Sequence, residues 1–474
     1  MARAALACAT ALTLILATPA LAQVSSPANV PSGSAFESIQ QPPESPTTDY
    51  TKFKGPFATV GSQLADDGIR FRALLTNEVA TNVTGGAKQG TTNVGQVYVG
   101  ADADLEKLVG WEGGKVHVTV YQDYGHGLSK NDTGTFFKQQ DIYKNEFPYL
   151  HVGLISFEQT LLDDRLDVIV GRLGTTAFYG HLQPNCYFQQ GTTCGVPVVL
   201  NSEAGFSLLP SATWGGNVKY KINDKLYFES GAFEVNPSTA QTNGLDFSTA
   251  QATGVTVPFE LGYENANFSK VRFPYEWKFG GYASTGDRTD PFFNVKNQSA
   301  GLTNTPLRNA TSLRSGIYIM GDQTVWRPDP ESLKSITLFG GWVQPLESDE
   351  IIDRQVYGGM LLRGPFQGRE QDTIGFSATY LHVSAKEMAY LNDNRIRLHG
   401  GGIENPNEFA FELNYGIQLG DSTRLTPNVQ YVVNPDSSSL SKIAFVPKNI
   451  VTFGLKLTVN LATLSGLPPQ AASE

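Results

Sequence analysis

The feature that most constrains this chain is a two-residue alternation of apolar and polar side chains that recurs from Ile69 almost to the end. Ile69, Phe71, Ala73, Leu75 and Val79 fall on one face of an extended segment, with Arg70, Arg72, Thr76 and Glu78 on the other. Val97, Val99, Ala101, Ala103 and Leu105 oppose Tyr98, Asp102 and Asp104 in the same way, and Val116, Val118 and Val120 oppose Lys115, His117 and Thr119. Read throughout, the pattern predicts about sixteen strands, each near the ~9–11 residues that cross a bilayer at a tilt. Their approximate spans are 69–79, 94–105, 115–124, 147–158, 165–173, 213–222, 226–235, 255–264, 274–283, 314–326, 334–344, 352–363, 371–384, 407–419, 424–433 and 449–461.

What lies between the strands fixes the architecture. Long connections cover 80–93, 125–146, 174–212, 236–254, 284–313, 385–406 and 434–448, whereas 223–225 and 420–423 are short. One connection, 345–351, is short where the phase asks for a long one. Alternating lengths put the two strand ends in different environments, as in barrels with short periplasmic turns and long external loops. In hydrocarbon an open sheet edge would leave backbone groups without partners, so the sheet must close. Trp111, Tyr124, Tyr149, Tyr263, Trp277, Trp326 and Trp342 cluster near strand ends, where interfacial aromatic girdles belong. The expectation is an all-β protein, a transmembrane antiparallel β-barrel of about 16 strands with both termini periplasmic.

The N-terminus sets the compartment. Arg3, an uncharged apolar run from Ala4 to Ala20 and the small-x-small series Ala20-Leu21-Ala22 read as a secretory signal peptide, residues 1–22. Residues 23–55 are rich in Pro, Ser and Gln and read as a flexible arm, followed by a barrel domain at 56–461 and a tail at 462–474. Phe57, Val60 and Leu64 share a face of one short helical turn. The formal net charge of -10 argues against a nucleic-acid partner. Removal of the leader takes Cys8 with it and leaves Cys186 and Cys194, an even count that in an exported chain favours a disulfide.

A barrel of this strand number leaves an aqueous bore, so its polar parity is expected to line the pore. The pore-lining candidates are Arg70, Arg72, Glu78, Asp102, Asp104, Lys219, Glu260, Lys278, Asp322, Glu412, Asn428 and Gln430. Both charge signs and amides are present, which suits a neutral polyhydroxyl solute better than an ion of one sign.

The series NCYFQQGTTCGVP (185–197), SATWGGNVKY (211–220), GAFEVNP (231–237), PFELGYEN (258–265), GDQTVWRP (321–328), GPFQGREQD (364–372) and PNVQYVVNP (427–435) occurs in that order. This set resembles the OprB-type carbohydrate-selective porin family over about residues 55–461. The resemblance implies a sixteen-stranded outer-membrane barrel that passes glucose and other sugars by diffusion, with external loops folded inward to narrow it. Cys186 and Cys194 match the family's cysteine-containing loop motif, and Trp214-Gly215-Gly216 its strand start. Asp322-Gln323, Arg369 with Asp372, and Gln430-Tyr431 match further family signatures.

Competing chemistries are weakly supported. Lys115 after Gly113-Gly114 lacks the rest of a phosphate loop. His181 with Cys186 and Cys194 lacks a fourth metal ligand. Asp163-Asp164 and Asp102/Asp104 have spacing but no evident glycosidase geometry. The sequence therefore reads as a passive monosaccharide channel of a Gram-negative outer membrane, with a general porin lacking sugar preference as the alternative. It is not read as an enzyme. No cofactor is expected, its contacts are sugars in transit and outer-membrane lipid, and a homo-oligomer is left open.

Overall fold

The computed structural model describes residues 55–142, 150–192, 194–265, 271–310 and 313–467. Sixteen strands close into an antiparallel barrel: β1 (Ile69–Gly86), β2 (Gly90–Asp104), β3 (Gly114–Gly125), β4 (Leu150–Leu161), β5 (Leu166–Leu173), β6 (Thr213–Lys221), β7 (Leu226–Val235), β8 (Gly254–Asn265), β9 (Tyr275–Ser284), β12 (Arg314–Trp326), β13 (Ser335–Pro345), β14 (Ile352–Arg363), β15 (Thr373–Val383), β16 (Asn407–Leu419), β17 (Thr423–Val433) and β18 (Lys448–Asn460). Neighbours in sequence are neighbours in the barrel, and β1 pairs with β18 to close it. Every strand read from the sequence is present. Two further strands, β10 (Arg288–Asn294) and β11 (Leu307–Ala310), form a separate hairpin inside the 285–313 connection.

The apolar parity faces out. Phe228, Phe259, Leu261, Phe279, Ile319, Leu338, Phe376, Leu413 and Phe453 are exposed on the outer wall, as a lipid-facing band requires. Trp111, Tyr124, Tyr263, Trp277 and Trp326 are exposed as well, in keeping with interfacial girdles. Tyr149 lies outside the described residues, as do the leader, residues 23–54 and residues 468–474. The short helix expected near Phe57 runs from Ala58 to Asp66, and Phe57 N donates to Ser465 O at 3.0 Å, joining it to the helix Leu461–Ser465 after β18.

One connection departs from the sequence reading. Residues 80–93 are not a long loop: β1 continues to Gly86, β2 starts at Gly90, and only three residues turn between them. The turn is built by Gly85 and Gly86 at φ 68 and 70, and by Asn82, whose amide donates to Gly85 O (3.2 Å) and Lys88 O (2.9 Å) and accepts from Gly90 N (2.8 Å). Thr81 and Thr91 meet across the pair at 3.0 Å. This hairpin reaches past the apolar band, so both its faces are polar and the hydrophobic alternation that marks a strand fades although the strand goes on.

Candidate functional site: a channel narrowed by an inward loop

The long connection between β5 and β6, residues 174–212, turns into the barrel. Its Phe178, Tyr179, Leu182, Phe188, Val199, Leu200 and Phe206 are buried against interior side chains of the wall, among them Phe233, Tyr282, Tyr318, Phe339 and Tyr357. Those five wall aromatics stand on the inward parity, where a water-filled bore would carry polar groups. They are the sequence signal that the lumen is partly filled by protein.

Polar wall residues hold the loop backbone. Glu412 accepts from Gln189 N (3.0 Å) and Gln190 N (2.9 Å), and Glu260 accepts from Gly180 N (3.2 Å). Lys278 donates to His181 O and Lys456 to Phe188 O, both at 3.0 Å. Asn428 donates to Gln189 Oε1 (2.6 Å), and Gln355 both donates to Thr192 O (3.0 Å) and accepts from Val199 N (3.2 Å). Gln430 donates to Gln139 O (2.9 Å), and Glu78 accepts from Asp141 N (2.9 Å), so the β3–β4 connection is fastened inside as well. Within the loop, burial and the nearby Lys278 hold the His181 imidazole well below its usual range, so it is neutral. Burial and a hydrogen bond with Glu350 push the Glu203 carboxyl well up.

The expected pore-lining set thus divides by role. Glu78, Glu260, Lys278, Glu412, Asn428 and Gln430 anchor inward connections. Lys219 lies 3.8 Å over the Tyr227 ring, and Asp322 stands half-buried on the inner wall opposite Glu276. Asp104 caps the helix Leu105–Val109, accepting from Glu106 N (3.0 Å) and Lys107 N (3.3 Å). Arg72 and Asp102 belong to a buried ion-pair ladder along β1–β4. Arg72 Nε donates to Asp102 Oδ2 (2.7 Å) and its Nη2 to Asp102 Oδ1 (2.9 Å) and Thr119 Oγ1 (3.0 Å). His117 bridges Asp102 (2.7 Å) and Glu158 (3.2 Å), and Lys115 pairs with Glu158 at 3.1 Å.

Because the loop leans on β6–β9 and β12–β18, open space is left beside β1–β3. A cavity of ≈ 170 Å³ lies there, lined by Leu74, Thr76, Gln96, Tyr98, Tyr121 and Asp123 of the wall and by Cys186, Cys194, Leu208, Leu209 and Pro210 of the loop. A vestibule of ≈ 1000 Å³ lies at the end where β1 begins and β18 finishes, lined by Arg70, Asp102, Asp104, Lys107, Lys115 and Asp163 among others. Gln96 donates to Asp123 at 2.8 Å. The sequence reading passed over Gln96, Tyr121, Asp123, Glu158 and Leu209; only strand register and the course of the loop bring them together. Cys186 and Cys194 stand side by side as free thiols. The hydrogen bond between them pulls the Cys186 thiol down and pushes that of Cys194 up. Asp163 and Asp164 sit in the β4–β5 turn at positive φ, 53 and 60.

Comparison with known proteins agrees with this geometry. The chain is 26% identical over 389 residues to "Porin B" of Pseudomonas aeruginosa, covering 79% of this chain and 85% of that one. It is 25% identical over 395 residues to "Putative porin QuiX" of Acinetobacter baylyi, covering 79% and 86%. The solved "High pH structure of Pseudomonas putida OprB" superposes with a TM-score of 0.75 at 24% identity, covering 86% of this chain and 99% of that one, a likeness of fold. The model of the carbohydrate-selective porin, OprB family, matches residues 88–461, and the chain belongs to that family, a sugar-selective β-barrel channel of the outer membrane.

Proposed function

We propose that monosaccharides such as glucose cross by passive diffusion through the slot between loop 174–212 and the β1–β3 wall. The observation that carries this reading is the fastening of the loop to the rest of the barrel, which leaves beside β1–β3 a cavity mixing tyrosine, aliphatic, amide and carboxylate groups. A pyranose needs that mixture, since it has C–H faces for apolar contact and hydroxyls that both donate and accept. The chain carries out no reaction in this reading. Residues 1–22 direct export and are removed, and the barrel domain occupies 56–461.

Planar-bilayer recording in graded glucose tests the reading. Glucose is expected to lower the ion current saturably, with a dissociation constant on the order of millimolar or weaker, about 4 kcal/mol or less. Tighter binding would slow exit, because conduction needs sites weak enough to leave. A current that falls only with viscosity for glucose and for other sugars would replace this reading with a general porin.

The adjacent thiols support a disulfide between Cys186 and Cys194 in the exported protein. Closing so short a loop removes about 2–3 kcal/mol of chain entropy by the loop-closure relation. Unreduced peptides are expected to give one cross-linked mass, whereas two free thiols in protein taken from the outer membrane would count against the bond. The barrel is expected to survive reduction, since its strand ladder does not run through that loop.

A further inference from the structure

Strand register sorts the inward side chains of β1–β3 into rows. Thr76, Gln96 and Asp123 form one row across the three strands, Leu74, Tyr98 and Tyr121 the next toward the vestibule, then Arg72, Gly100 and Thr119, then Arg70, Asp102 and His117. The second row is the one without a charged or amide side chain. Its three residues form a buried apolar cluster, with the tyrosine ring centroids 5.5 Å apart, and Leu209 of the inward loop packs onto it. Two glycines make this arrangement possible. A Cβ at Gly153 of β4 would lie 2.5 Å from the Tyr121 ring and 3.1 Å from Pro210 Cα, so only glycine lets wall and loop approach there. A Cβ at Gly100 would lie 3.0 Å from Arg72 Nη2 and 2.8 Å from Thr119 Oγ1, so the row below is also closely packed.

We infer that Leu74, Tyr98 and Tyr121, closed from across the slot by Leu209, form an apolar belt that determines specificity by favouring neutral sugars over small ions. The inference rests on the sugar-channel reading above and names the residues that act in it. The belt is one row deep, with hydrogen-bonding groups on both sides: the Gln96–Asp123 pair before it and the Arg72–Asp102–His117 ladder after it. A small ion must give up hydration to pass such a belt and meets no charged or amide group within it, only the hydroxyls of Tyr98 and Tyr121. A pyranose lays its C–H face on the tyrosines and leucines, while its hydroxyls reach the polar rows on either side. The charged ladder, whose members already hold one another, contributes less to choosing the sugar than the apolar row above it.

The test replaces apolar surface with polar surface of similar size, so that chemistry changes more than bore. Leu74→Asn and, separately, Leu209→Asn are recorded in potassium chloride and then in graded glucose, after folding is checked by the shift in gel mobility on heating. Ion conductance is expected to rise about fivefold, as the polar amide lowers the desolvation barrier, and the saturable glucose response is expected to weaken. Leu209→Asn lies on the loop and keeps the test open if Leu74→Asn does not fold. Wild-type ion conductance in the folded variants overturns the belt. So does a rise seen with Leu209→Ala but with neither asparagine variant, which would make width the limiting factor. An absent glucose response in the wild type would instead strike the sugar-channel reading, while the potassium chloride comparison would still judge the belt.

Discussion

Glu412→Ala is expected to free the inward loop and produce a larger, noisier ion current through an otherwise intact barrel. One Glu412 oxygen accepts from Gln189 N and Asn414 Nδ2, both at 3.0 Å, and the other from Gln190 N at 2.9 Å. Removing the carboxylate takes this acceptor from two loop amides in a buried place, while Asn414 Nδ2 keeps Tyr187 O at 3.2 Å. Buried donors deprived of a partner cost about 1–3 kcal/mol each, so for the two loop amides a total of about 2–6 kcal/mol falls on the loop's attachment. The strand ladder does not include these bonds, and the other anchors, Glu260, Lys278, Gln355 and Lys456, keep the loop inside on average. Glu412→Gln retains one acceptor but turns an amide donor toward a backbone N–H, and is expected to fall between. Single-channel recording checks both variants against the wild type. Current and noise equal to wild type in Glu412→Ala would show that this anchor does not hold the loop.

The barrel was legible from residue order because lipid imposes one rule on every second residue of every strand, and the rule is visible without knowing any contact. Phe279 and Lys278 differ by one position and face opposite worlds. Where that rule lapses, legibility does too. The β1–β2 hairpin extends beyond the apolar band, and Thr81, Asn82, Thr91 and Thr92 read as loop although they are paired strand. The β10–β11 hairpin lies outside the barrel wall, so no lipid pattern marks it.

The site was half legible. The inward parity identified Arg72, Asp102, Glu260 and Glu412 as interior. Parity alone does not say whether an interior side chain meets water, a loop or another strand. Glu260 and Glu412 meet the loop, through bonds to Gly180, Gln189 and Gln190 that span roughly eighty to over two hundred positions of sequence. Tyr318 and Phe339 on the inward parity carry the signal of an apolar filling, which the expectation of an aqueous bore passed over, and the aromatic loop segment around Phe178, Tyr179 and Phe188 is its counterpart. The ion pairing had a similar limit: direct register sets Arg70 opposite Asp102, yet the buried pair runs diagonally from Arg72, into space that Gly100 leaves free.

The ladder gives the other large expected effect. Arg72 is 1% exposed and Asp102 4%, and their bidentate bond is the kind that guanidinium and carboxylate make best. Arg72→Met keeps much of the side chain's bulk while leaving Asp102 with His117 as its remaining ladder partner, and Thr119 loses its guanidinium donor. Breaking one side of such a buried pair costs about 3–5 kcal/mol, because the remaining charge is stranded rather than because the bond itself was strong. The double replacement Arg72→Met with Asp102→Leu is therefore expected to regain part of that loss, although His117 then loses one of its two carboxylates and keeps Glu158. Unfolding of the barrel from lipid vesicles in guanidinium chloride, run as a double-mutant cycle, measures the coupling. Arg70→Met on the same strand is the comparison, since Arg70 is half-buried at the vestibule and its loss is expected to cost about 1 kcal/mol or less. If Arg72→Met costs no more than Arg70→Met, water reaches the ladder and screens it, and the row below the belt behaves as ordinary solvated wall.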